Sequence, residues 1–250
     1  MMEAASHGNI VLFDQMLSID LDINTIAEDG YTALHCAARS RKTAMVEYLL
    51  GMGAAIDACN VKRKNRRPIH EAIQAEEPKG IDVLGKAGAN TYNRPGDIIV
   101  SLVASTGNIA VVEAWFNAMP ANVAKHDLSL LLLDSSVSTG QAGVLRWLLS
   151  QNPIIMSRTS KLNNLPQISA VLRDPVKPHQ CLPPMIWESS LLSAEYIEAV
   201  SISLVRAAKR GHTEMVKLLL GCKDIDVNRR TSGGLNALFS AVVLWQSASG

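Results

Sequence analysis

Residues 30–54 read Gly30-Tyr31-Thr32-Ala33-Leu34-His35-Cys36-Ala37-Ala38, then Arg39-Ser40-Arg41-Lys42, then Thr43-Ala44-Met45-Val46-Glu47-Tyr48-Leu49-Leu50-Gly51-Met52-Gly53-Ala54. Thr32 stands where a side-chain oxygen can cap a helix start. Leu34, Ala37 and Ala38 follow at helical spacing and make a small, close-packing face. After the polar break at residues 39–42, Met45, Val46, Leu49 and Leu50 form a second apolar stripe, which Gly51 and Gly53 end. Each half is too short to hold a helix alone. Burying each large aliphatic side chain stabilises by roughly 1.5–3 kcal/mol. A two-helix unit of this size cannot cover its own stripe, so it needs neighbours on both sides.

The neighbours appear at fixed steps. Ala4-Ala5 with Gly8-Asn9 lies 33 residues before Ala37-Ala38 with Arg41-Lys42. Thr106-Gly107-Asn108 lies 66 residues beyond that turn, and Thr139-Gly140-Gln141 a further 33. With this period, Tyr31 to Ala38 resembles the T-P-L-H-x-A-A opening of the ankyrin repeat, with Ala33 in place of proline. Val46 to Ala54 resembles its V-x-x-L-L-x-x-G-A close, and Arg210-Gly211-His212-Thr213-Glu214-Met215-Val216-Lys217-Leu218-Leu219-Leu220 is a clean G-H-x-x-x-V-x-x-L-L copy. The resemblance implies an all-α solenoid of five to seven repeats, paired antiparallel helices with projecting β-hairpin fingers. It further implies non-enzymatic protein–protein recognition on the concave face of first helices and finger tips.

The register divides the chain. Residues 1–150 are expected to hold repeats at 1–29, 30–60, 65–91, 96–122 and 127–150. The copies at 96–122 and 127–150 are degenerate, with Ser101 and Asp134 at the histidine position. Trp115 and Trp147 are expected to pack between repeats. Residues 151–188 hold six of the ten prolines and read as an irregular insertion or a decayed repeat. Residues 189–250 return to pattern, with a repeat at 199–229 and a partial one at 233–250. Asn236-Ala237-Leu238 opens the last helix, which the pattern leaves with an uncovered apolar face.

Composition narrows function by exclusion. A hydrophobic content of 48% is enough for a continuous core, and 4% aromatics make it aliphatic. A net charge of +1 argues against a surface devoted to nucleic acid. Cys36, Cys59, Cys181 and Cys222 are widely spaced, which points to a reduced, intracellular setting, cytoplasm or nucleus. No apolar run approaches the length of a membrane span, and the first residues lack a signal-peptide layout. His70-Glu71-Ala72-Ile73-Gln74 lacks the second histidine of a zinc helix, and Gly51-Met52-Gly53 follows a helix where a dinucleotide loop precedes one. No nucleophile, metal or phosphate motif is found, so neither catalysis nor a cofactor is expected.

Lys62-Arg63-Lys64-Asn65-Arg66-Arg67 is the sharpest local feature, five basic residues of six. By register it occupies the finger between the second and third repeats. It fits an acidic protein surface, a nucleic-acid backbone or a nuclear import signal, against the plain alternative of a solvated hairpin tip. Five phosphate contacts would give a salt slope of about −4.5. The resemblance adds Tyr31, Arg39, Ser40, Glu71 and Gln74 as partner-facing positions beside Lys62, Arg63, Lys64, Arg66 and Arg67. It gives Thr32, Leu34, His35, His70, Gly211 and His212 structural roles. His35 is expected to bond backbone and Thr32, whereas His70 has Arg67 in the threonine's place. Binding of a protein partner is the leading expectation, and a nuclear transcription coregulator the alternative.

Overall fold

The computed structural model describes residues 1–19, 21–91, 99–120, 125–150, 192–222, 225–231 and 233–248. They form α1 (Met2–His7), α2 (Ile10–Leu17), α3 (Ala33–Arg39), α4 (Thr43–Gly51), α5 (Pro68–Gln74), α6 (Pro78–Lys86), α7 (Ile99–Thr106), α8 (Ile109–Asn117), α9 (Lys125–Thr139), α10 (Ala142–Ser150), α11 (Leu192–Lys209), α12 (Thr213–Leu220) and α13 (Ala237–Ala248). Two compact units contain them, one with α1–α8 and one with α9–α13.

In the first unit the first helices of each pair pack in a row, α1 on α3, α3 on α5 and α5 on α7. Second helices make a parallel row, with α4 on α6 and α6 on α8, and each pair closes on itself. The two-stripe pattern is therefore buried as the sequence requires: Leu34, Met45, Leu49, Ile69, Ile81 and Leu84 are all fully covered. In the second unit α9 packs on α10 and α11, α10 packs on α12, and α11 packs on α12 and α13. The Pro-rich stretch 151–188 lies outside the described residues, yet the helix pairs on either side of it meet as neighbouring repeats do. Arg206 of α11 and Asp134 of α9 form an ion pair across that junction.

One backbone position repeats through both units. The residue that turns the first helix into the second is left-handed at Gly8, Arg41, Glu76, Gly107, Gly140 and Gly211. Arg41 and Glu76 hold it without glycine, at φ 58° and 52°, a conformation that costs a side-chain-bearing residue about 1 kcal/mol or more. Glu76 gains a partner there: its Oε2 accepts from Asn108 Nδ2 at 3.0 Å. Gly85, inside α6, costs helix stability relative to alanine but is required by packing. A Cβ on it would lie 2.3 Å from the Ala118 Cβ of the following repeat.

The expected β-hairpin fingers are turns in this structure. Among the described residues the connectors close with a short backbone bond and no strand. Ala27 N–H donates to Tyr31 O at 2.8 Å, Asn60 N–H to Arg66 O at 2.7 Å, and Thr231 N–H to Leu235 O at 2.9 Å. Asn60 and Arg66 form an isolated antiparallel bridge around a single 3-10 turn, Val61–Arg63. Left-handed Lys64 and Asn65 reverse the chain too tightly for a ladder to start. Among the described residues no helix is long and apolar enough to cross a membrane.

Candidate functional site

The expected partner-facing residues gather where α3, α5 and the 60–66 turn meet, but they do not share one environment. Arg39, at the end of α3, is exposed, and its guanidinium lies over the Tyr31 ring, 5.6 Å from the centroid. A helical side chain leans toward its own N-terminus, which brings Arg39 back along α3 toward the turn. Tyr31 itself is only 5% exposed and meets the His35 ring edge-on at 5.6 Å. Its expected role as a partner contact is therefore corrected: it is the platform on which Arg39 rests. Ser40 is half-buried at the C-cap of α3, and Gln74 is exposed at the end of α5.

The basic hexad also divides. Lys62, Arg63 and Lys64 are exposed on the turn. Arg66 is half-buried, with Nε donating to Glu71 Oε1 at 2.7 Å and Nη2 to His70 O at 3.2 Å. Arg67 and Glu71 are buried, so neither is a partner contact as first expected. Five nominal charges thus reduce to three at the surface. The cause is local: a carboxylate five residues downstream sits beneath Arg66 and neutralises it inside the fold, where an ion pair stripped of its partner would be costly.

The histidines at the repeat openings are held by local hydrogen bonds. His35 is fully buried. Its Nδ1 accepts from the Thr32 hydroxyl at 2.8 Å and the Thr32 N–H at 3.3 Å, and Nε2–H donates to Arg66 O at 3.1 Å. That bond ties the second repeat to the turn that carries the cations. His70 needs no threonine, because the Arg67 backbone N–H donates to its Nδ1 at 3.1 Å. In the second unit Gly211 is the left-handed turn residue, and His212 occupies the N-cap position of α12 without a side-chain cap bond, its ring packed over Gly140.

Burial holds the His35 pKa below its usual value, against the opposing pull of the Arg66 carbonyl. The unfolded chain therefore takes up a proton before the folded one does. The stability that neutral His35 contributes is fully present above about pH 6.5 and is lost as pH falls toward the folded pKa, by roughly 1.4 kcal/mol per unit of that gap. Urea midpoints of wild type should decline between pH 7 and 5 more steeply than those of His35→Gln. Parallel pH profiles would show that His35 titrates equally in both states.

Sequence reasoning missed three elements of this surface. Asn60 is buried; its Nδ2 donates to Asp29 O at 3.2 Å, and a Cβ on Gly30 would lie 2.3 Å from its Oδ1. Asn24 Oδ1 accepts from Ala55 N–H at 2.7 Å, and Asp57 Oδ1 from Asn90 N–H at 3.1 Å, each bond joining one turn to the next repeat. Residues 24, 57 and 90 are 33 apart and all Asn or Asp, a signal present in the sequence. The third element is the acidic tip Glu28-Asp29, exposed beside the basic turn.

Burial pushes the Cys36 thiol up to about 11, away from a reactive thiolate at neutral pH. Among the described residues no group of three or more His, Cys, Asp or Glu could hold a metal ion.

Models of ankyrin repeats match residues 1–94 (three copies) and 204–245 (many copies). The human ASB11 ankyrin repeat domain superposes with a TM-score of 0.63 at 18% identity, covering 96% of this chain and 90% of that one. Cortactin-binding protein 2 of Dasypus novemcinctus is 41% identical over 61 residues, 24% of this chain and 4% of that protein. The NAD-dependent deacetylase sir2B of Dictyostelium discoideum is 43% identical over 53 residues, 21% of this chain and 7% of that protein. The chain spans only 4% and 7% of the length of those two relatives.

Proposed function

The chain belongs to the ankyrin-repeat family, whose repeats generally mediate protein–protein interaction, and from that premise we propose that it is a non-enzymatic interaction scaffold binding its partner at the first-helix and turn surface of repeats two and three. One observation carries the reading. Arg39, Lys62, Arg63, Lys64 and Gln74 are exposed together on a frame whose own polar groups are bonded internally through His35, Asn60 and the Arg66–Glu71 pair. Side chains held on a rigid frame lose less entropy when a partner docks. A location in the cytoplasm or nucleus belongs to the same proposal. Its support is that Cys36, Cys59 and Cys222 are free thiols.

The nuclear coregulator reading draws on Lys62-Arg63-Lys64. Against its import-signal form stands the Asn60–Arg66 bridge, which ties the turn at both ends, whereas import receptors take extended chain. The scaffold reading is tested by combining Arg39→Ala, Lys62→Ala, Arg63→Ala and Lys64→Ala. Proteins cross-linked to wild type in cell extract should fall at least about tenfold in yield with the variant, while far-UV CD and the urea midpoint stay unchanged, as expected for exposed positions. An identical cross-linked set would overturn the surface assignment.

A further inference from the structure

The chain's near-neutral charge hides a steep local asymmetry. Eight of its 24 Lys and Arg, but only two of its 23 Asp and Glu, lie between Arg39 and Arg67, so that stretch carries +6 and the remainder −5. Of the eight, Arg66 is neutralised by Glu71 and Arg67 is buried. Six remain exposed: Arg41 and Lys42 at the turn into α4, and Arg39, Lys62, Arg63 and Lys64, the four set to face a partner. The neighbouring turn, one repeat earlier, presents exposed carboxylates at Glu28 and Asp29. The two tips are bonded to each other: Lys62 Nζ donates to the Glu28 carbonyl and Asn60 Nδ2 to the Asp29 carbonyl. Two opposite charges are thus held side by side on a fixed base.

Resting on the protein-binding reading above, we propose that the partner is an extended, charge-alternating protein segment, with carboxylates over Lys62, Arg63, Lys64 and Arg39 and a lysine or arginine over Glu28 and Asp29. Packed helices in neighbouring repeats lie about 10 Å apart. An extended chain covers that in about three residues at roughly 3.3 Å each. The segment recognised therefore carries its basic residue about three positions from its acidic cluster. A nucleic-acid strand fits less well. Its evenly spaced phosphates would cross the Glu28–Asp29 tip as well as the basic one, and Tyr31, the aromatic at this surface, is buried and offers no base a face. Like charges set against a wrong partner are themselves a source of selectivity.

The test uses the full chain and three fluorescein-labelled probes of about twelve units: a peptide with three glutamates spaced three residues from two lysines, an all-glutamate peptide, and a single DNA strand. The alternating peptide should bind best and weaken at least about tenfold with Lys62→Glu plus Lys64→Glu. Glu28→Lys plus Asp29→Lys should reverse the order, so that the all-glutamate peptide binds best. Equal binding of both peptides to wild type would overturn the alternation. Tighter binding of the DNA strand, with a salt slope of about −2.1 for the three cations of the turn, would overturn the partner class. Failure of every peptide to bind at about 1 mM, while the alanine variant above still loses its cross-linked proteins, would sink this inference and leave the scaffold reading standing.

Discussion

Trp115→Ala is expected to destabilise the first unit by about 3–5 kcal/mol, the range for removing a large buried aromatic side chain. Trp115 is fully buried in α8, its ring edge-on to Phe116 at 5.7 Å. Its Nε1–H donates to Thr91 O at 2.7 Å, across to the end of the preceding repeat's connector. Two effects therefore add. The cavity opens in the α6–α8 contact, and the Thr91 carbonyl loses its indole donor in a buried setting. Trp115→Phe separates them, because it keeps most of the apolar surface and loses the N–H; a cost of about 1–3 kcal/mol would be the carbonyl's share. Trp147→Ala is the internal comparison. Trp147 stands one position before the place in α10 that corresponds to Trp115, which Leu148 holds, and is only half-buried, so its loss should shift the second unit less. Urea unfolding followed by far-UV CD reads all three. A Trp115→Ala midpoint equal to that of Trp147→Ala would mean that the α6–α8 contact does not limit stability.

The two tryptophans show what a sequence can and cannot reveal. Both sit in the second-helix stripe, and the period placed both between repeats. A step of 33 takes Trp115 to buried Leu148 and Trp147 to half-buried Ala114, so the register, followed residue by residue, already separates the two. The turns are the legible part. Gly8, Gly107, Gly140 and Gly211 mark left-handed backbone in advance, and register extends that conformation to Arg41, where no glycine announces it. The surface was less legible, because charge and burial are decided by pairing in space. Arg66 and Arg67 look equivalent to Lys62 in the sequence. One is cancelled by Glu71, and the other is buried at the α5 N-cap, where its backbone serves His70. Tyr31 is expected as a contact because the repeat resemblance puts its position on the concave, partner-facing side. Its ring is instead held by His35 on one side and covered by Arg39 on the other. Glu28 and Asp29 carry no sequence signal beyond that of an ordinary turn; their place beside the basic turn shows only in the bonds from Lys62 and Asn60 to their carbonyls.

Leu34→Ala should cost about 2–5 kcal/mol, whereas Leu238→Ala should change stability by no more than about 0.5 kcal/mol, although both occupy the same repeat position. Each stands two residues after a helix-capping side chain. Thr32 precedes Leu34, and Asn236, whose Oδ1 accepts from Phe239 N–H at 2.9 Å, precedes Leu238. Each opens a first helix. Leu34 is 1% exposed because α3 is packed by α1, α4 and α5 together. Leu238 is 75% exposed, as α13 packs on α11 and turns this position outward. Phe239, Val242 and Val243 continue the same outward stripe, and Phe239 replaces the histidine that, as His35, is fully buried. The cost of a core truncation is set by the atoms that surrounded the lost group, and here only one of the two leucines is surrounded. Equal losses at both positions, measured by urea midpoints on the full chain, would show that the α13 stripe is covered in solution. Leu238→Lys sharpens the comparison: a charge at an open position should be neutral, while Leu34→Lys should abolish the cooperative transition of the first unit.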